Sequence, residues 1–170
     1  STSTTYDALG RLVATTFPDG TTTGTTYDVA GQVIASTDAR GNATTYTYDR
    51  LTFRLRRLET RRGAEALQDL NYTYDPAGNI TAIRDDAQQT IYFNGQVVEP
   101  HRNYAYDALY RLIEAKGREH IGQHGRPETT WNDELRVNLQ HPHDGQAMRN
   151  YIEQYVYDAV GNFLSMQHRG

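Results

Sequence analysis

One seven-residue pattern recurs along the chain and restricts its fold more than any other feature. It reads Tyr6-Asp7-Ala8-Leu9-Gly10-Arg11-Leu12, then Tyr27-Asp28-Val29-Ala30-Gly31-Gln32-Val33, then Tyr74-Asp75-Pro76-Ala77-Gly78-Asn79-Ile80. Tyr106-Asp107-Ala108-Leu109-Tyr110-Arg111-Leu112 and Tyr157-Asp158-Ala159-Val160-Gly161-Asn162-Phe163 follow, while Tyr48-Asp49-Arg50-Leu51-Thr52-Phe53 keeps only the first half. The steps from Tyr to Tyr are 21, 21, 26, 32 and 51 residues, a basic period with insertions. A period of this length marks one supersecondary unit stacked on its neighbours.

The chemistry of the unit specifies a β-hairpin. Asp opens a type I turn because its side chain accepts bonds from nearby backbone N–H groups, and Pro76 falls where a fixed φ suits that turn. Gly10, Gly31, Gly78 and Gly161 stand three residues after Asp, where a left-handed residue closes a three-residue loop with a bulge. Asp7 then brackets the loop with Arg11, and Tyr6 faces Leu12. The same rule pairs Tyr27 with Val33, Tyr74 with Ile80, Tyr106 with Leu112 and Tyr157 with Phe163, each pair contributing about 0.2–1 kcal/mol. Tyr110 stands where the other complete units have Gly. A bulky residue in the left-handed region costs on the order of 1 kcal/mol, so either neighbours hold that strain or the turn has another geometry, and a different turn is the favoured expectation.

Tyr46-Thr47-Tyr48, Tyr72-Thr73-Tyr74, Tyr104-Ala105-Tyr106 and Tyr155-Val156-Tyr157 alternate as half-buried strands do. Pro18-Asp19-Gly20 and Asp38-Ala39-Arg40-Gly41-Asn42 mark turns at the opposite ends of the hairpins. The expectation is an all-β fold: an antiparallel β-hairpin repeat ribbon of roughly ten to fourteen strands. Hairpins are expected over residues 1–113, a non-repetitive insertion over 114–150, and a further hairpin over 151–170. An open ribbon exposes edge strands, and the chain reads as part of a longer repeat protein.

Composition agrees once the aromatic residues are counted. Leu, Ile, Val and Phe supply only 31 of 170 residues, a share typical of disorder, but net charge is only −4 and there are 13 Tyr and 21 Thr. Both residue types favour strands. Apolar runs are only a few residues long, so no membrane-spanning segment is expected. Zero Cys excludes disulfides and thiolate metal ligands, and the acidic balance gives no global attraction to nucleic acid.

The unit Tyr-Asp-x-x-Gly-[Arg/Asn/Gln]-apolar resembles the tyrosine–aspartate repeat of Rhs proteins, from Tyr6 to about Gly170. Tyr106 to Ala115, Gly117-Arg118-Glu119-His120 and Asp144-Gly145-Gln146-Ala147-Met148-Arg149 are similar to the B-component of bacterial insecticidal toxin complexes. The resemblance implies a segment of a spiralling sheet, a cocoon, that encloses and carries a toxin polypeptide. It implies a secreted or cell-surface protein with the rest of the shell, the enclosed toxin and other toxin-complex subunits as partners. Teneurins use a similar shell for adhesion, so the fold leaves function open. Tyr74-Asp75-Pro76-Ala77-Gly78 contains the letters of a self-cleavage segment but sits inside an ordinary repeat, and reads as a turn.

Candidate chemistry is sparse. His141-Pro142-His143-Asp144, with His120 and His124, is the most metal-like group, but no recognised ligand spacing is met. Asp85-Asp86 lacks the alternating acids of a calcium loop. Arg50, Arg54, Arg56, Arg57, Arg61 and Arg62 crowd one stretch with Glu59. Alternation of Leu51, Phe53 and Leu55 with Thr52, Arg54 and Arg56 suggests a strand with an arginine-lined face, while Leu51, Leu55 and Leu58 also fit a helical period. That face would be solvated or ion-paired, in contact with cargo, or bound to nucleic acid. Rows of Tyr with Trp131 offer a sugar-stacking alternative, hence an adhesion or carbohydrate-binding module as the second reading. No cofactor site and no nucleophile elbow, HExxH, P-loop or dinucleotide fingerprint is found, and enzyme activity is not expected.

Overall fold

The computed structural model describes residues 1–123, 141 and 143–170. Among them the chain is all-β apart from one turn of 3-10 helix at Ile121–Gln123. It divides into two compact units, Ser1–Thr73 with Asp85–Gln88, and Tyr74–Arg84 with Gln89–Gly170.

The first unit is a meander of β1 (Ser3–Tyr6), β2 (Leu12–Thr16), β3 (Thr22–Tyr27), β4 (Val33–Thr37), β5 (Ala43–Tyr48), β6 (Leu55–Arg62) and β7 (Glu65–Tyr74). Each strand pairs antiparallel with the next. Tyr6 lies opposite Leu12 and Tyr27 opposite Val33, and in both hairpins the register shifts immediately before the Tyr. That shift is the expected bulge, placed by Gly10 at φ 77° and Gly31 at φ 86°. Threonine supplies cross-strand bonds, with Thr44 Oγ1 3.0 Å from Thr60 Oγ1.

The second unit carries β8 (Ile80–Asp85), β9 (Ile91–Phe93), β10 (Gln96–Val98), β11 (His101–Tyr106), β12 (Leu112–His120), β13 (Met148–Tyr157) and β14 (Phe163–Arg169). Its sheet runs β8-β11-β12-β13-β14, and β9 pairs with β10 apart from it. Tyr106 faces Leu112 and Tyr157 faces Phe163. Asn150 Nδ2 donates to the Val97 carbonyl at 3.1 Å and an Arg118 guanidinium nitrogen to the Gln89 carbonyl at 3.0 Å. These bonds hold the small hairpin against β12 and β13, and Val98 is fully buried there. Strands enter the stretch 114–150 from both sides, β12 reaching His120 and β13 starting at Met148.

Among the described residues only Val98, Ala115 and Ala147 are fully buried apolar residues. The first unit contains none of them. It is a sheet one layer deep, whose apolar side chains are half-buried by neighbours on the same face. Alternation and register put Tyr6, Tyr27, Tyr46 and Tyr48 on one face. Tyr104, Tyr106, Tyr151, Tyr155 and Tyr157 likewise share one face of the second unit's sheet.

Two sequence expectations are corrected. Tyr110 does not adopt a different turn. It sits at φ 62° and donates its N–H to the Asp107 carbonyl at 3.0 Å, as Gly10 does to Asp7. Leu51 to Arg54 are not part of a strand. The Asp49 loop is one residue longer than the others, closing from the Asp49 N–H to the Arg54 carbonyl at 2.8 Å, with Phe53 at φ 57°. Leu51 and Phe53 are consequently exposed, and Tyr48 faces Leu55.

Candidate functional site

The repeated turn is the recurrent polar structure among the described residues. In the first copy the Asp7 N–H donates to the Arg11 carbonyl at 2.9 Å and the Gly10 N–H to the Asp7 carbonyl at 3.0 Å. Asp7 Oδ1 accepts the N–H groups of Leu9 and Arg11, both at 2.9 Å, and Oδ2 accepts Arg11 Nε at 2.6 Å. One carboxylate thus fixes three donors of a five-residue loop. Asp107 repeats the arrangement with Leu109 and Arg111. Asp75 and Asp158 use the side-chain amides of Asn79 and Asn162 instead, both at 2.8 Å. The alternation of Arg and Asn at this position has a simple cause, because both present a planar N–H donor to Oδ2. Asp38 with Asn42 builds the same turn at the other end of a hairpin.

These bonds favour the ionised carboxylate. Asp7 and Asp107 are held below the usual carboxylate range, first by the backbone N–H groups of Arg11 and Arg111. Asp75 and Asp158 are lowered first by the side chains of Asn79 and Asn162.

Tyrosine links successive repeats. The Tyr27 hydroxyl donates to the Leu12 carbonyl at 3.1 Å and Tyr48 to Val33 at 2.9 Å. Tyr106 donates to Ile80 at 2.9 Å and Tyr157 to Leu112 at 3.0 Å. In every case the acceptor is the apolar residue that leaves the preceding turn. Two arginines complete the link: the Arg11 guanidinium lies 4.6 Å from the Tyr27 ring centre and Arg111 lies 5.0 Å from that of Tyr157. Arg111 also donates to the Asp158 carbonyl at 3.1 Å. Gln32 serves the same purpose through the Phe53 carbonyl at 3.0 Å. This interlock was missed by sequence reasoning, which paired Tyr only within its own hairpin.

The remaining candidates resolve into local structure. His120 Nδ1 accepts the Gly122 N–H while Nε2 bonds the Asp144 carbonyl at 3.0 Å, so both ring nitrogens are engaged. His141 stands edge-on to Phe93, and His143 is exposed. His124, Trp131 and Pro142 lie outside the described residues. Asp85 Oδ1 accepts the Asp69 and Ala87 N–H groups, and Asp86 accepts Asn71 Nδ2 at 3.0 Å. No group of three or more His, Cys, Asp or Glu side chains is placed to hold a metal among the described residues. Two arginines of the stretch are ion-paired, Arg57 forking onto Asp69 at 2.7 and 2.8 Å and Arg61 reaching Glu59 at 2.7 Å, while Arg62 donates to Asn42 at 2.9 Å. No helix among the described residues is long and apolar enough to cross a membrane.

The turn geometry has counterparts in known proteins. Residues 6–43 and 27–65 match the RHS Repeat family model. Toxin subunit YenC2 of Yersinia entomophaga is 42% identical over 106 residues, covering 62% of this chain and 10% of that protein. Toxin subunit YenC1 of the same organism is 41% identical over 108 residues, with the same coverage. The crystal structure of TcdB2-TccC3-Cdc42 superposes with a TM-score of 0.63 at 34% identity over 99% of this chain and 9% of that one. The Photorhabdus luminescens Tc holotoxin pore, in a TccC3 mutant form, gives a TM-score of 0.65 at 34% identity, covering 98% and 9%. The chain therefore spans about a tenth of the length of these relatives. Residues 6–65 thus carry RHS repeats, and the hairpin register observed there recurs at Tyr106 and Tyr157.

Proposed function

We propose that this chain is a wall segment of an RHS-type shell that encloses and carries a toxin polypeptide, and that its role is structural rather than enzymatic. The observation that carries the proposal is the repeat-to-repeat interlock, in which the residues of the signature are used to join one hairpin to the next. A wall needs rigid propagation of one unit into another, and these bonds supply it without a packed core. The similarity to toxin subunits YenC1 and YenC2 and to TcdB2-TccC3 assemblies supports the same reading. Its partners would be the remaining repeats, the enclosed polypeptide and other toxin-complex subunits, and its location outside the producing bacterium. The similarity to toxin subunits favours this reading over a sugar-stacking module; the Tyr27 and Tyr157 rings are covered by Arg11 and Arg111, while Tyr6, Tyr92 and Tyr110 are exposed.

Protease protection of the enclosed polypeptide in the full chain tests the proposal. With the native sequence the polypeptide survives digestion. Gly31→Val, which cannot hold φ 86° without strain, opens the wall and exposes it to cleavage. Equal protection in the native and variant forms would overturn the wall assignment.

A further inference from the structure

One ionisable cluster takes no part in the repeat interlock. His168 on β14 places Nδ1 3.0 Å from Glu153 of β13 and Nε2 3.0 Å from Glu119 of β12. Its ring stacks on Tyr151 at 5.3 Å with planes 17° apart, and only 14% of the side chain is exposed. Around it, Arg149 Nε holds the other oxygen of Glu119 at 2.8 Å, and the Tyr155 hydroxyl donates to Glu153. All these groups lie on the tyrosine face, since Glu119 is in register with Arg149, and Glu153 with His168. Arg169 follows on the opposite face.

A neutral imidazole has one N–H and one lone pair, so it cannot donate to two carboxylates. Only the imidazolium carries a proton toward each, in a hydrogen bond to Glu153 and an ion pair with Glu119. With His168 charged, the two carboxylates are balanced by Arg149 and His168. Without that proton, one carboxylate faces a lone pair at 3.0 Å and the cluster carries an excess negative charge.

We propose that His168 is a protonation-dependent latch that fastens β14 to β12 across β13 and releases as pH rises. The latch spans three strands, while the backbone ladder of β14 on this side reaches only β13. Burial opposes the charged ring, but the bonds to Glu153 and Glu119 outweigh it, and the His168 pKa lies above the ordinary histidine value. A group with a raised folded pKa contributes its full stabilisation below the unfolded value near 6.5 and loses it as pH climbs through the folded value.

Hydrogen exchange of the full chain, corrected for intrinsic rates, tests the latch. Protection of the Phe163–Arg169 amides should fall between pH 6 and pH 9 by at least about threefold, while β11 amides keep theirs. His168→Gln should abolish this pH dependence. Glu119→Gln, which keeps the native histidine, should move the fall to lower pH. A β14 protection that is independent of pH, or a pH dependence that persists in His168→Gln, overturns the latch. Direct titration of the His168 ring by NMR decides the matter even if the variants fold poorly. An ordinary histidine value there also refutes it.

Discussion

Removing one phenolic oxygen from the repeat interlock should have a measurable cost. In Tyr48→Phe the ring stays on the sheet, but the 2.9 Å bond to the Val33 carbonyl is lost. That carbonyl belongs to a half-buried residue, so water replaces the phenol only in part. A bond of this kind contributes about 0.5–1.5 kcal/mol net. At about 2–4 °C per kcal/mol for a domain of this size, the melting temperature should fall by roughly 1–6 °C. Tyr92→Phe is the control, because Tyr92 is 76% exposed and no interlock bond is found for it. Tyr106→Phe repeats the test in the second unit through the Ile80 carbonyl. Thermal unfolding followed by circular dichroism gives all three values under one condition. If Tyr48→Phe and Tyr106→Phe melt with Tyr92→Phe, the hydroxyl bonds are incidental and the interlock argument fails.

Gly78→Val should lower the melting temperature more than Thr73→Val, because Gly78 sits at φ 108° while Thr73 is an exposed strand residue. Tyr110→Gly should raise stability by up to about 1 kcal/mol in urea unfolding, since it relieves a left-handed tyrosine at an exposed turn. Gly117→Ala should destabilise by about 1–3 kcal/mol, since a Cβ there would lie 2.9 Å from the Tyr151 ring, and Tyr151→Leu should restore much of the loss. The turn carboxylates have lowered pKa values, so their stabilisation is present above the unfolded value near 3.8 and lost as pH falls through the folded value. Melting temperature should therefore drop below about pH 4, less steeply in Asp75→Asn.

The hairpins were legible because their determinants are local. Asp7, Gly10 and Arg11 lie within one loop, and the side-chain chemistry of each dictates its place. The interlock was not legible because its partners lie far apart in sequence, Tyr157 and Leu112 being separated by 45 residues. Its signal was nonetheless present in the residue that follows the glycine position, where Arg and Asn bond the Asp carboxylate and Arg and Gln reach the next repeat. Tyr110 misled because backbone strain was given more weight than the support of its neighbours. The bonds of Asp107 to Leu109 and to both the backbone and side chain of Arg111 outweigh a cost of about 1 kcal/mol. The Leu51–Leu55 alternation misled for the opposite reason. It imitates a strand, but Asp49 caps the loop through Leu51 and Thr52 and exposes the apolar side chains. The arginine face became clear only with Asp69 in register opposite Glu59, a contact no spacing rule predicts.

A wall, as proposed for this sheet, has one face turned to an enclosed volume and the other to solvent. Thr4 and Thr5 are adjacent, both exposed in this chain, and point to opposite faces of β1. Single cysteines at the two positions, introduced into the full chain, can be treated with a bulky maleimide before and after unfolding. The account predicts that one cysteine reacts in the folded protein and the other only after unfolding. Equal and rapid labelling at both positions would contradict it.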